Sequence, residues 1–277
     1  MGTTLLSYEA SAWRLDLNFN SGTTGAAAQR SADSFSDAAG KSYYTTAVTY
    51  EGGKAAELNI SAGDTAYGTW GGVINHPSNL RKGDQIWFRV RTFMPAGFNY
   101  DSVAEGNRLK FLRVHTRSAS TENFGYNDWY INPKNASGTP FSFIYEGEQV
   151  WDDFGKSTDK LVLGTWETYE MYVKFDNVPV SAGGQGRVRV WKNGVLLKDI
   201  TNRKTLATAD AYSERSHLFT YWNGGSPQTQ KMYVDDIVLT SDTPSARDAA
   251  GNPFVGVGNG QVQPAASPPA APVLKVN

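Results

Sequence analysis

Apolar and polar residues alternate in short runs along most of the chain, and no stretch of useful length repeats at the spacing of an amphipathic helix. In Gln85-Ile86-Trp87-Phe88-Arg89-Val90-Arg91, for example, Ile86, Phe88 and Val90 share one side while Trp87, Arg89 and Arg91 share the other. Runs of this kind predict strands over residues 13–19, 43–50, 55–60, 71–75, 85–94, 108–116, 127–131, 141–145, 165–175, 186–192, 195–200, 215–222 and 231–240. Turn chemistries separate them, such as Glu51-Gly52-Gly53-Lys54 and Lys82-Gly83-Asp84. The segment Trp151-Asp152-Asp153-Phe154 reads as a loop, and residues 31–40 and 205–213 each have room for one turn of helix. So many strands without intervening helices predict an all-β, two-sheet antiparallel sandwich.

The clearest local signal is Arg187-Val188-Arg189-Val190-Trp191-Lys192-Asn193-Gly194-Val195-Leu196-Leu197. Asn-Gly between two alternating runs predicts a hairpin closed by a type I′ turn, whose central residues both need positive φ. A regular two-residue hairpin sets Val190 opposite Leu197 and Val188 opposite Asp199, with Arg189, Trp191, Leu196 and Lys198 on the other face. Some forty residues later comes Met232-Tyr233-Val234-Asp235-Asp236-Ile237-Val238-Leu239.

The stretch from Gly186 to Gly194, followed by Tyr233 to Ile237, resembles the late strands of concanavalin A-like β-sandwiches, the fold of laminin G modules, legume-type lectins and several polysaccharide lyases. The resemblance implies a jelly-roll sandwich in which the solvent face of one sheet forms a sugar-binding groove. It implies no single function, because this superfold hosts many.

The chain has 277 residues, of which 8 are Trp, 14 Tyr and 13 Phe, enough to fill a large core. From Ser241 onward the composition changes, with six of the 12 prolines between Pro244 and Pro272 among Ala and Gly. The expected organisation is a lead-in over 1–9, a sandwich over 10–242 and a Pro/Ala-rich arm over 243–277 that contacts neighbouring protein subunits. A net charge of −1 favours neither nucleic acid nor membrane as a partner. The absence of cysteine excludes disulfides and thiolate chemistry. The beginning Met1-Gly2-Thr3-Thr4 has no classical leader pattern, which leads to the expectation of a virion or an extracellular surface reached without one.

Four runs place cationic or aromatic residues on their outward side. The expected carbohydrate-binding set is Arg89, Arg91, Glu170, Tyr172, Lys174 and His217, with Arg113, His115 and Tyr221 as the catalytic set if the chain is a lyase. Arg pairs bidentately with carboxylate, and flat rings stack on sugars, so the mixture suits an anionic polysaccharide. β-Elimination on a uronate needs a partner for the C5 carboxylate, a base for the C5 proton and an acid for the leaving oxygen, roles open to Arg, His and Tyr. In this reading Phe111 shares the outward face with Arg113 and His115, and Phe219 shares it with His217 and Tyr221. The motifs of the known alginate-lyase families do not match; the nearest run is Tyr221-Trp222-Asn223-Gly224-Gly225. Glu167 and Glu170 fall on opposite faces, so the paired carboxylates of a retaining glucanase are missing.

The three histidines have no ligand spacing, so no metal site is expected; calcium has weak support from Asp235-Asp236. The leading expectation is a carbohydrate-binding or displayed structural module of a larger assembly, such as a bacteriophage decoration, fibre or tail protein. The alternative is a polysaccharide lyase acting on a uronate polymer.

Overall fold

The computed structural model describes residues 12–28, 35–36, 41–65, 72–100, 108–118, 125–132 and 138–258. The strands along the first half are β1 Arg14–Leu17, β2 Phe35–Ser36, β3 Ser42–Thr45, β4 Ala55–Ile60, β5 Gly72–Arg81, β6 Gln85–Phe93, β7 Leu109–Thr116 and β8 Gly125–Ile131. Those of the second half are β9 Phe141–Tyr145, β10 Val150–Phe154, β11 Trp166–Lys174, β12 Arg187–Lys192, β13 Val195–Ile200, β14 Tyr212–Trp222 and β15 Gln230–Thr240. Two sheets result, with orders β13-β12-β11-β6-β15-β4-β3, where β1 also pairs with β15, and β10-β9-β8-β7-β14-β5-β2. The last two strands lie inside the two sheets, β14 between β7 and β5 and β15 between β6 and β4, so the chain closes both sheets late. This is the all-β, two-sheet antiparallel sandwich that the alternation predicted.

The core forms where the inward residues of the two sheets meet. Phe111 of β7 lies 5.0 Å from Tyr169 of β11 and 4.7 Å from Phe219 of β14, and Trp129 of β8 lies 5.8 Å from Tyr169. Aromatic packing of this kind, edge-on for the two pairs with Tyr169, adds about 0.5–1.5 kcal/mol per pair to simple burial. Among the described residues no helix is long and apolar enough to cross a membrane.

Several local expectations are corrected. Trp151 to Phe154 belong to β10, paired with β9, because Trp151 and Asp153 alternate with Asp152 and Phe154 in register with Ile144 and Ser142. Phe35 and Ser36 pair with β5, within a stretch read as a helical turn, and residues 205–210 are turns and bends. The hairpin turn has positive φ at Asn193 (49°) and Gly194 (81°), as expected. A bulge between Val190 and Trp191 nevertheless moves the partner of Val190 to Lys198 and that of Arg189 to Asp199.

The proline-containing segment after β15 is part of the packing. Residues 246–257 lie on the outer face of the eight-stranded sheet, where Phe254 stacks on Trp191 at 6.0 Å and joins Trp87 and Tyr172 in a second apolar cluster. The Trp87 indole donates to the Pro253 carbonyl (3.0 Å), and the Trp191 indole to the Asp248 carboxylate (2.8 Å). The remainder of the expected arm, from 259 onward, and the expected lead-in over 1–9 lie outside the described residues.

Candidate active site on the seven-stranded sheet

The sequence-derived site residues divide between the two sheets. Arg89, Arg91, Glu170, Tyr172 and Lys174 lie on β6 and β11, whereas Arg113, His115, His217 and Tyr221 lie on β7 and β14. The expected single groove is therefore two surfaces on opposite sides of the sandwich.

On the eight-stranded sheet the outward alternation is as expected, but the face is covered. Glu170 stands opposite Arg89, and its two carboxylate oxygens accept the Val255 (2.6 Å) and Gly256 (2.9 Å) amides. Arg91 donates to the Val257 carbonyl and to Asp236 (2.9 Å). Arg89 pairs with the same Asp236 at 3.4 Å, and the Lys174 ammonium is held by the Gly83 carbonyl. Burial pushes the Glu170 carboxyl up to about 7, against the lowering effect of the two amides and of Arg89. Asp235 accepts the amides of Tyr50 and Asp236, and Asp236 faces two arginines, so this pair is engaged in protein contacts. Among the described residues no group of three or more acidic or imidazole side chains is placed to hold a metal ion.

On the seven-stranded sheet the outer face is polar, and two bulges shape it. One lies in β7 between Lys110 and Leu112, and one in β14 between Leu218 and Tyr221, where Phe219 takes a φ of 50°. The extra residues break the alternation, so Phe111 and Phe219 turn into the core rather than outward. The same shift sets Lys110 opposite Tyr221, while His217 remains opposite Arg113. Strand pairing then lays out two rows: Tyr221, Lys110, Tyr130, Ser142 and Asp153, and beside it His217, Arg113, Asp128, Ile144 and Trp151.

Lys110 is the centre of this face. Its ammonium lies 2.5 Å from Glu146 and 3.2 Å from Asp128, with the rings of Tyr130, Tyr221 and Tyr126 at 5.5, 5.5 and 5.9 Å. Arg113 is buried, pairs with Asp128 through Nε and packs against the Tyr126 ring at 3.7 Å. Burial raises the Asp128 carboxyl, but Arg113 and Lys110 outweigh that and hold it below the usual carboxylate range. Burial and the neighbouring Asp128 push Glu146 the other way. Tyr130 donates to Asp128 at 3.2 Å, and its phenol is raised by burial and by that carboxylate. His217, with its ring 5.2 Å from Tyr126 and 6.1 Å from His115, is held well below its usual value by burial and by Arg113 and Arg215, so it is a neutral imidazole. His76 faces the core, where its Nε2 lies 2.9 Å from the Ser216 hydroxyl.

The sequence reading missed Lys110, Tyr126, Asp128, Tyr130 and Glu146. For Tyr126, Asp128 and Tyr130 the signal was available, because they alternate along β8. Lys110 was hidden by the bulge, which moves it onto a face that strict alternation assigns to Phe111.

No family model and no curated protein sequence matches the chain. Among solved structures it is similar to the alginate lyase Aly36B, at 16% identity and a TM-score of 0.57, covering 82% of this chain and 96% of that one. Variants of that enzyme, matched equally closely or nearly so, are in complex with an alginate trisaccharide and tetrasaccharide. It is also similar to the endo-beta-1,4-glucuronan lyase from the fungus Trichoderma reesei (10% identity, TM-score 0.52, covering 83% and 95%). A third similar structure is the marine PL-14 alginate lyase from Aplysia kurodai (10%, 0.52, covering 73% and 87%). At these identities the likeness is one of fold: the chain is a concanavalin A-like β-sandwich of the form also found in polysaccharide lyases.

Proposed function

We propose that the protein is a polysaccharide lyase that cleaves a uronate-containing polymer by β-elimination on the outer face of the seven-stranded sheet. The observation that carries this reading is the placement of Lys110 among three phenols, with Tyr221 directly across the β7–β14 pairing. The fold shared with alginate and glucuronan lyases supports it.

The chemistry follows from the groups present. Tyr221, half-buried at the rim of the row, is the proton carrier: as phenolate it takes the C5 proton of a uronate. The electrons of that C–H bond form the C4–C5 double bond, the C4–O bond breaks, and the leaving oxygen takes up a proton from the phenol so formed. The Lys110 ammonium stabilises the phenolate and the charge that develops on the substrate carboxylate, a role in which a fixed cation at a water-poor site contributes most. Arg113, held by Asp128 under Tyr126, positions Lys110 and Tyr126 from behind. His115 and His217 add imidazoles beside it, and His217, held neutral, accepts or donates a hydrogen bond without adding charge.

The first expectation from sequence, a glycan-binding or virion module, differs in predicting binding without turnover. Incubation with alginate, glucuronan and a neutral glycan, followed by the ultraviolet absorbance of unsaturated uronate ends, separates the two. Turnover of a polyuronate that Tyr221→Phe abolishes supports the lyase; glycan binding with no unsaturated product in any digest supports the module.

A further inference from the structure

Resting on the lyase reading, one cation on the same face has a different situation from the rest. Lys110 is engaged by Glu146 and Asp128, and Arg113 by Asp128. Together Lys110, Arg113, Asp128 and Glu146 balance in charge, so beyond the reacting sugar that Lys110 faces they offer no net positive charge to the further carboxylates of a polyanion. Arg108, just before β7, is half-buried and has no carboxylate partner among the described residues. Its guanidinium lies 4.5 Å from the centre of the Trp151 indole, and Trp151 in turn packs at 5.1 Å on Tyr130, the residue beside Lys110 in the catalytic row. Trp151 is 38% exposed, an unusual state for an indole in a chain that buries Trp87, Trp129, Trp191 and Trp222 almost completely.

We propose that Arg108, seated over Trp151, is the specificity-determining residue that binds the carboxylate of the sugar neighbouring the cleaved linkage, so that this pair selects polyuronates over neutral glycans. Contact with the indole restrains the guanidinium, and its planar fork of N–H donors suits a two-bond grip on a carboxylate. Arg108 precedes Lys110 by two positions where the chain enters β7, which in extended backbone separates the two by about 7 Å. That offset places Arg108 beyond the reacting sugar rather than at it. The Asn223 amide donates to the Arg108 carbonyl (2.9 Å), tying this position to the segment that follows Tyr221.

The test compares the wild-type protein with Arg108→Ala and Arg108→Lys on purified tetra-uronates from alginate or glucuronan and on mannotetraose, by calorimetric titration and by steady-state kinetics. Removing one charge-assisted hydrogen-bonded contact is expected to raise the dissociation constant and KM for the uronate oligomer by about 10- to 100-fold. Arg108→Lys, which keeps the charge without the fork, falls in between; kcat stays within about twofold and mannotetraose is unaffected. Unchanged affinity for the uronate in Arg108→Ala overturns the proposal, as does an equal loss for the neutral oligomer. A fall in kcat with KM unchanged also overturns it, because Arg108 would then act at the reacting atoms. A wild-type protein that binds uronates but cleaves none defeats the lyase reading alone, and the titration still decides the role of Arg108.

Discussion

Lys110 and Tyr221 face each other across the β7–β14 pairing, with the ammonium 5.5 Å from the phenol ring, because each strand carries a bulge beside that position. If the pair carries out the proton transfer, Tyr221→Phe removes the hydroxyl, and Lys110→Ala removes the cation together with most of its aliphatic stem. Each is expected to lower kcat on a polyuronate by about 100-fold or more, with little change in oligosaccharide affinity for Tyr221→Phe. The check is steady-state kinetics beside calorimetric titration of the same variants.

Arg113 and Asp128 form a buried ion pair, and breaking such a pair strands one charge in a poorly solvated place. Asp128→Leu is expected to destabilise the fold by about 3–5 kcal/mol, measured by urea unfolding. The double variant Arg113→Met with Asp128→Leu is expected to recover much of that loss while remaining slow in catalysis, since the support behind Lys110 is gone.

Glu170 is an acid whose pKa rises on folding, mainly through burial, from 4.5 to about 7. Its contribution to stability is complete below the unfolded value and is lost as the pH rises through about 7. Asp235, pushed to about 7 by burial, adds in the same direction; the depressed histidines His76 and His217 act oppositely, losing stability as pH falls. The useful quantity is therefore a difference. Glu170→Gln is expected to flatten the decline in unfolding free energy between about pH 5 and pH 8 relative to the wild type, measured by denaturant titration across that range.

The segment over the eight-stranded sheet contributes packing on the side away from the proposed site. Phe254→Ala is expected to cost about 3–5 kcal/mol, as truncation of a buried aromatic does, and to shift the fluorescence of Trp87 and Trp191 toward that of solvent-exposed indole. Turnover per folded molecule is expected to be unchanged, in contrast to substitutions on β7 and β14.

Alternation alone carried the reading as far as the fold. The 55–60, 141–145 and 195–200 runs matched β4, β9 and β13 to the residue, because their side chains strictly alternate between core and exterior or lie in a hairpin with a strong turn. The candidate site was legible only in part. Arg113, His115 and His217 do share one face, since they lie in regular stretches, and Tyr221 joins them on the far side of the β14 bulge. Alternation fails where one extra residue is inserted, and a bulge has no hydrophobic signature of its own; this is why Phe111 and Phe219 were turned the wrong way and Lys110 was passed over. The covering of Glu170 and Arg91 escaped for a different reason. Ala246 to Val257 carries little periodic pattern, and its attachment runs through backbone amides and carbonyls, which are the same for every sequence.

Digestion of alginate or glucuronan in water enriched in heavy oxygen, followed by mass spectrometry of the products, tests the elimination chemistry most directly. Elimination breaks the C4–O bond without adding water, so the account requires one unsaturated end per cut and, with the new reducing ends trapped by borohydride before they exchange with solvent, no heavy oxygen in either product. Products that carry the label and lack unsaturation would contradict it, because they would show hydrolysis at a site with no paired carboxylates to explain it.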